Sequence, residues 1–415
     1  MPSRFIQLHT LTSFPASLLN RDDAGMAKQL PFGGCARTRI SSQCLKRHWR
    51  TFKGDHDLKS VAADLGLSVR SRITFREQVA DPLIKDGLPK GIVDAVVEAL
   101  MHLALGESAK KARERADADG EDAGAEETKG KPKKEAGDPL HTSQVVVLGG
   151  KELAFIRELA KSIVPTVTDV KKVDTAIDAK LDKEAKKNLK ATVNAGLDAA
   201  VFGRMVTSDI LARCDAAIHV AHAFTVHSAQ SEPDYFSAVD DLTREAGETG
   251  AGHINSTDLT TGLFYGYVAV DVDLLTKNLG GDAELASKTA EALVHLIATV
   301  SPGAKLGSTA PHSFAHLVLA EAGNRQPCTL ANAFLKPVEL RGDGLGNAFA
   351  ALAQEVCDLD WNFGKRPERR HMARGTAERY ACLTTVPGAN GAQPVAVGER
   401  QTLDQVATWC AQQVR

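Results

Sequence analysis

The chain has 415 residues, and its 50 Lys and Arg nearly balance its 52 Asp and Glu, so any nucleic-acid binding must come from a localised surface. A hydrophobic content of 43% is sufficient for a sizeable core in one elaborated domain or two. No apolar run reaches membrane-spanning length and no signal peptide is recognisable, so we expect a cytoplasmic protein without a membrane partner. The seven cysteines lack metal-binding spacing, so we expect reduced thiols and no metal or other cofactor.

The first predicted elements are a strand and a tight turn. Ile6 and Leu8 alternate with polar side chains from about Arg4 to Ser13, which is the period of a half-buried strand. Gly33-Gly34 allows a sharp change of direction, and Arg37–Ile40 then has the pattern of a short extended segment.

A helix is predicted next, from about Gln43 to Phe52. Ser41-Ser42 precedes it and provides a candidate N-cap. Trp49 belongs to the apolar face of this helix, and Lys46 and Arg50 follow one another along the adjacent face. A helix N-terminus with free N–H groups beside a row of cations can hold phosphate groups.

The segment from Ala24 to Gly54 concentrates positive charge, because it contains no Asp or Glu although the whole chain is slightly acidic. Its cations are Lys28, Arg37, Arg39, Lys46, Arg47, Arg50 and Lys53. On composition alone two interpretations remain open: a phosphate-binding surface, or an amphipathic helix whose charges are simply solvated.

A largely helical region is predicted from about Asp55 to Asn194, with clear helical periods at Gly91–Leu105 and Lys151–Ile163. Inside it, Glu107–Asp138 contains no aromatic and no large aliphatic side chain. Such a segment cannot bury enough apolar surface to offset its ordering entropy, so we expect a disordered or loosely helical insertion.

Strand patterns return after this region. Asp215–Ser228 and Thr257–Val272 are rich in β-branched and aromatic residues, Ala283–Thr299 is predicted to be a helix, and His316–Glu321 a short strand. Together with the N-terminal strand and helix, the order is βαββαβ, which is the ferredoxin-like order of RRM domains. The predicted fold class is therefore α+β.

Three further elements are predicted in the C-terminal part. They are a helix near Gly344–Cys357, a strand near Tyr380–Val386 and a final helix from about Leu403.

Three histidines, His219, His222 and His227, suggest a metal site at first sight. In a strand, however, His222 points away from the other two, and no Asp or Cys lies at a suitable spacing. We therefore favour hydrogen-bonded structural histidines.

The ordered motifs of the N-terminal segment carry a family resemblance. Its sequence NRDDAGMAKQLPFGGCARTRISSQCLKRHWR closely resembles the signature of the repeated backbone subunit of type I-E CRISPR Cascade complexes, the CasC family. AVFGRMVTSD at residues 200–209 resembles the thumb segment of that family, and PGAK at residues 302–305 is a third matching motif.

The resemblance implies a right-hand architecture. It consists of an RRM-like palm, a large helical fingers insertion after the first helix, and a thumb loop. On this sequence the expected limits are 1–54 and 215–415 for the palm, 55–197 for the fingers with the disordered segment 107–138, and 198–214 for the thumb.

The resemblance also implies RNA contacts. The residues expected to contact the RNA backbone are Arg21, Lys28, Arg39, Ser41, Gln43, Lys46, Arg50 and Lys305. In the thumb, Arg204 would contact a phosphate and Met205 would be pushed between bases as an apolar wedge. From the residues alone, Met205 is better explained as a packed helix residue, and Gly303 can simply end the preceding helix.

The implied function is sequence-independent binding of guide RNA (crRNA) in antiviral defence. Copies would assemble head to tail as a helical filament, and the guide would pair with a target DNA strand. The other implied partners are the large subunit, the small subunit, the 5′-handle-capping subunit and the crRNA-processing endonuclease of Cascade.

Two other functions remain open on the sequence, a metal-dependent ribonuclease and an RNA-binding regulator. In distantly related type III backbone subunits an Asp in the equivalent loop supports RNA cleavage, so Asp22 or Asp23 could serve a metal-dependent ribonuclease. We expect instead that this pair orders its loop, and we predict no catalytic residue. The second alternative is a generic RRM-type RNA-binding regulator, but the stacking aromatics of RRM domains are not present.

Overall fold

The computed structural model describes residues 3–105, 138–181, 196–204, 213–239, 251–364, 368–384 and 397–414. The fold is mixed α+β. The chain divides into two compact units, one formed by Met1–Val61 and Ile218–Arg415 and the other by Ala62–Ala217. Among the described helices, none combines the length and the apolar character needed to cross a membrane.

The described residues form twelve strands and thirteen α-helices. The strands are β1 Phe5–Ser17, β2 Gln29–Phe32, β3 Cys35–Ile40, β4 Val69–Ser71, β5 Val146–Leu148, β6 Ile218–Val220, β7 Ala223–Thr225, β8 Ser231–Val239, β9 Ala251–Asp271, β10 Leu317–Gly323, β11 Arg369–Ala373 and β12 Glu399–Arg400. The helices are α1 Ser42–Thr51, α2 Leu58–Val61, α3 Asp81–Lys85, α4 Lys90–Leu105, α5 Gly150–Ile163, α6 Val173–Lys180, α7 Leu197–Phe202, α8 Val272–Asn278, α9 Ala283–Thr299, α10 Leu306–Thr309, α11 Gly344–Phe363, α12 Ala377–Thr384 and α13 Leu403–Gln412.

The first unit is built on a ten-stranded sheet with the order β12-β11-β10-β1-β9-β7-β3-β2, to which β6 and β8 add by pairing with β9. β1 is central and antiparallel to both neighbours, with Leu8 opposite Ala320 of β10 and Val268 of β9. β1 pairing ends at Thr260 of β9, and the part of β9 before Thr260 pairs with β8.

Both faces of this sheet are covered by helices. On one face, Leu11 and Tyr265 join a buried cluster with Phe349 of α11. On the other face, Thr12 lines a small apolar cavity together with Trp49 of α1 and other side chains of the sheet and of α9. The core therefore lies on both sides of the sheet.

The hairpin of β2 and β3 follows directly from its sequence. Phe32 lies opposite Cys35, and the two intervening residues, Gly33 and Gly34, have φ of 61° and 80°. Two successive positive φ angles define a type I′ turn, which favours glycine. A Cβ on Gly33 would lie 1.7 Å from the carbonyl oxygen of Leu335, so this position also tolerates no side chain.

The second unit has its own hydrophobic core, in which α4 and α5 bury their apolar faces, as the helical periods predicted. Residues 107–137 of the predicted insertion lie outside the described residues. Asp138, which composition placed inside that insertion, belongs instead to the folded unit. Its carboxylate accepts two hydrogen bonds from the Arg76 guanidinium at 2.6 and 2.7 Å, and this ion pair lowers the pKa of Asp138 to about 2.

Most predicted elements of the first unit are confirmed: the N-terminal strand, the helix after Ser41, helix α9 and the C-terminal helix. The strand predicted at Tyr380–Val386 is wrong, because Ala377–Thr384 is helix α12 and buries Leu383. The neighbouring strand position is taken by β11, whose Arg369 is buried and bonded to Glu321 at 2.5 Å. Strand β11 was not predicted, because buried charged residues interrupt the hydrophobic alternation that is typical of a strand.

Candidate nucleic-acid-binding surface

Three segments that are distant in the sequence meet at the C-terminal end of β1. They are the loop from Asn20 to Lys28, the start of α1, and the loop after α9. The backbone N–H of Lys28 donates to the Asn20 carbonyl, and that of Ala304, beside Lys305, donates to the Leu18 carbonyl, both at 2.9 Å. We define these three segments, with Arg39 of β3 and with Lys46 and Arg50 of α1, as the basic edge.

Asn20 connects two parts of the basic edge. Its side-chain Oδ1 accepts a hydrogen bond from the backbone N–H of Ser41 at 2.9 Å, while its carbonyl holds Lys28. The Lys28 carbonyl in turn accepts from the N–H of Arg39 at 2.8 Å. Sequence reasoning did not single out Asn20, and its place at the head of the NRDD motif was the available signal.

The start of α1 has the geometry predicted for an N-cap. Ser41 is extended, with φ of −69° and ψ of 148°, and its Oγ accepts from the N–H of Cys44. The first turn contains no acidic residue, and Gln43 is exposed there. Buried Trp49 anchors the helix while Lys46 and Arg50 are half-buried along it. This end of the helix can therefore receive an anion.

Arg39 and Lys28 create a local positive field. Arg39 Nη1 lies 2.9 Å from His222 Nδ1, so a neutral imidazole accepts from the guanidinium. The pKa of His222 is lowered, first by burial and then by the charges of Arg39 and Lys28. His227 uses both ring nitrogens, toward the Ser228 carbonyl and the N–H of Leu263.

These contacts agree with hydrogen-bonded structural histidines. Across the part of the chain that the structure describes, no group of three or more potential ligands could hold a metal ion.

Arg37, one of the cations between Ala24 and Gly54, has a different role. Arg37 is fully buried, and its guanidinium donates to the carbonyls of Phe32, Thr225 and Phe334 at 3.1, 3.1 and 2.8 Å. Burial lowers its pKa. Arg37 therefore ties the hairpin to the sheet and is not part of the anion-binding surface.

Lys305 is positioned by the N-terminal part of β9. Its ammonium donates to Thr257 Oγ1, and the neighbouring Asp258 accepts from the N–H of Ala27 at 3.1 Å. Thr257 and Asp258 are both buried. Sequence reasoning placed them in a strand and missed this second role, because polar residues at a strand terminus carry no distinctive pattern.

Asp22 closes the loop of the basic edge. Its N–H donates to the Met26 carbonyl and its Oδ1 accepts from the N–H of Met26, both at 2.9 Å. Arg21 and Asp23 are exposed on the same loop. The expected loop-ordering role of the pair is thus present for Asp22.

Arg204 does not lie at a surface. Its side chain is only 1% exposed, and its guanidinium bonds both oxygens of Glu152 at 2.5 and 2.8 Å and the Val147 carbonyl at 3.2 Å. Gly203 before it has φ of 80°, and a Cβ at this position would lie 2.8 Å from the backbone nitrogen of Ala216. The predicted phosphate contact of Arg204 would require this ion pair to open. Met205 lies outside the described residues.

Within the described residues, the central strands β10, β1 and β9 leave no open face for base stacking. RRM domains stack bases on the sheet face opposite their two helices. In this chain α11 covers the face of the central strands that lies away from α1 and α9, and Tyr265 is only 1% exposed beneath it. The face of the central strands is therefore closed to a ligand, whereas the cations of the basic edge are partly exposed.

Chains of solved RNA-guided complexes share this fold. The structure is similar to a chain of a solved CRISPR RNA-guided surveillance complex, pre-nicking, with a TM-score of 0.73 and 24% identity over 99% of this chain and 100% of that chain. A chain of another CRISPR RNA-guided surveillance complex matches with a TM-score of 0.55 and 20% identity over 98% of both chains.

The chain belongs to the CT1975-like protein family (Cas_CT1975), whose model matches residues 6–407. No curated protein matches it. The family match confirms the resemblance to a Cascade backbone subunit. The subtype I-E stays a prediction.

Proposed function

We propose that this chain is the repeated backbone subunit of a Cascade-type surveillance complex and holds guide RNA without regard to its sequence. The observation that carries the proposal is the basic edge, where Lys28, Arg39, Lys305 and the start of α1 are connected by backbone hydrogen bonds at one end of β1. These groups are suited to phosphate and ribose, which carry no sequence information.

The buried sheet face supports the same mode of binding. A subunit that must accept any guide has to leave the base edges free to pair with target DNA. With α11 over the sheet, contacts come from cations and backbone N–H groups at the edge. This arrangement favours a backbone subunit over a sequence-reading RRM regulator.

We assign the palm to the unit of Met1–Val61 and Ile218–Arg415. Its strands β10, β1 and β9, followed by β6 and β7, lie in the spatial order 4-1-3-2 of a ferredoxin-like sheet. The unit Ala62–Ala217 then corresponds to the helical fingers with the thumb segment. The proposed partners are crRNA, target DNA, further copies of the chain in a head-to-tail filament, and the other subunits of a type I-E Cascade in the cytoplasm.

We propose binding without catalysis. Asp22 already bonds the N–H of Met26, so its carboxylate orders the loop. Incubation of the assembled complex with Mg²⁺ and a complementary RNA should leave that RNA intact, and cleavage that disappears in Asp22→Ala or Asp23→Ala would establish the ribonuclease function instead.

The decisive experiment is co-expression with a CRISPR array, followed by measurement of the guide RNA retained per protein. We expect Lys46→Glu combined with Arg50→Glu to lower retention at least about tenfold. The slope of log binding constant against log salt should flatten by about 1.4 for two lost phosphate contacts to a single strand.

A matched control reverses Arg4 and Lys277. Both are exposed and lie at the opposite end of β1, where Phe5 pairs with Asp271. Arg4→Glu with Lys277→Glu should leave retention unchanged. Equal retention in both double variants would show that the basic edge is assigned to the wrong function.

A further inference from the structure

A second cationic cluster lies where β10 begins and β11 ends. Leu317 pairs with Ala373, and just beyond this pair the N–H of Arg374 donates to the His316 carbonyl at 2.8 Å. The N–H of His316 donates to the Leu11 carbonyl of β1 at 2.7 Å. Three adjacent strands therefore fix the backbone of this cluster.

Two side chains of the cluster are held in place by neutral or acidic partners. Ser13 Oγ lies 2.8 Å from His316 Nε2. Arg379 Nε donates to Asp343 Oδ2 at 2.8 Å. A Cβ on Gly375 would lie 3.1 Å from Cδ of Arg379, so the arginine packs directly against the backbone that follows Arg374.

The cluster has an uncompensated positive charge. The pKa of His316 is lowered, first by burial and then by the positive charges of Arg374 and Arg379. Asp343 balances Arg379. Arg374 is exposed, and the described residues provide it with no ion pair.

An exposed phenylalanine lies two residues before His316, whose carbonyl accepts from the N–H of Arg374. Phe314 is 60% exposed, although the next residue, Ala315, is fully buried and bonded through its N–H to the Ala298 carbonyl. Phe314 is two residues from His316, which in turn lies opposite Arg374. A cation beside an exposed aromatic face is the combination that binds an unpaired nucleotide, through its phosphate and its base.

We propose that Phe314, His316, Arg374 and Arg379 form a second site for single-stranded nucleic acid, which holds one unpaired nucleotide. Arg374 contacts the phosphate and Phe314 stacks on the base. The site lies at the same end of the sheet as the basic edge, and Ser13 and Leu18 are at most about 17 Å apart along the chain. The choice of strand rests on the proposed function, since both the guide RNA and a target DNA strand have this chemistry.

The test uses guide-loaded complex purified after co-expression. One measurement is the guide RNA content, and the other is the affinity for a fluorescein-labelled complementary 20-nucleotide DNA by anisotropy. Arg374→Glu and Phe314→Ala should each lower one of these quantities about tenfold. Arg374→Lys keeps the positive charge, so this variant should retain most of the guide RNA content and most of the DNA affinity.

Two controls separate the site from general effects. Lys277→Glu reverses an exposed charge at the far end of the sheet, and Phe363→Ala removes a phenylalanine that is 68% exposed at the end of α11. Both should behave as the unmodified complex. Lower guide content assigns the site to the guide, whereas lower DNA affinity at normal guide content assigns it to the target strand.

Both quantities within twofold of the unmodified complex would overturn the proposal. If the unmodified chain carries no guide, the proposed function fails and the site is tested by itself with labelled 12-nucleotide oligouridine and oligothymidine. It stands if Arg374→Glu weakens binding of either probe about tenfold, and it fails if neither changes.

Discussion

Two regions whose sequences match family motifs place their arginines in opposite environments. On the basic edge, Arg39 is half-buried and polarises His222 beside Lys28. In the other unit, Arg204 is enclosed and paired with Glu152. The difference shows that a motif match identifies a position in the fold, whereas the partners around the side chain determine whether its charge is offered to a ligand.

The largest effect that tests this comparison is expected at the buried pair. Glu152→Ala leaves the Arg204 guanidinium buried without its carboxylate, which should lower the free energy of unfolding by about 3–5 kcal/mol. Urea denaturation measures the change. A loss below about 1 kcal/mol, combined with loss of guide RNA in Arg204→Ala, would place Arg204 on an RNA surface after all.

A smaller effect on stability is expected for Arg37 and distinguishes it from Arg39 of the same strand, β3. Arg37→Met removes the donor to three carbonyls, two of them in buried hydrogen bonds, and should cost about 2–3 kcal/mol of stability. Arg39→Met should change stability by less than about 1 kcal/mol but lower guide retention, because Arg39 is partly exposed. The same urea and retention measurements serve both variants, and a reversed pattern would contradict the assignment of Arg39 to the basic edge.

The smallest expected effect is on the pKa of His222, which depends on burial and on the positive charges of the basic edge. Because Arg39 contributes to lowering the pKa of His222, Arg39→Met should raise that pKa, although burial will still keep it below the usual value. A histidine whose folded pKa is lowered loses stability as pH falls below its unfolded pKa of about 6.5, so this loss should become smaller in the variant. NMR titration of the imidazole provides the measurement, and an unchanged pKa would mean that the guanidinium lies elsewhere in solution.

Local patterns predicted the framework of the first unit well. The alternation at Ile6 and Leu8, the glycine pair and the Ser41 cap each depend on a few neighbouring residues, and the structure has the strand, the turn and the helix that they indicate. The predicted strand Asp215–Ser228 is two short strands, β6 and β7, which both pair with β9. The wrong strand at Tyr380–Val386 arose because a short apolar run does not distinguish a strand from a helix.

The candidate site was predictable in part. Sequence motifs selected Lys28, Ser41 and Lys305, and the fold brings all three to one end of β1. They could not reveal the connecting roles of Asn20 and Asp258, since each depends on a hydrogen bond to a backbone group distant in the chain. The thumb residue Met205 lies outside the described residues, and its wedge role stays a prediction.

The amino-acid order alone was therefore enough for the α+β class, the hairpin, the capped helix and the local surplus of positive charge, because those properties depend on neighbours along the chain. The sequence could not tell that Arg37 and Arg204 are enclosed while Arg39 and Arg374 reach the surface. The free energy of a charged side chain depends on the carbonyls, carboxylates and solvent that surround it, and packing between distant segments supplies those surroundings.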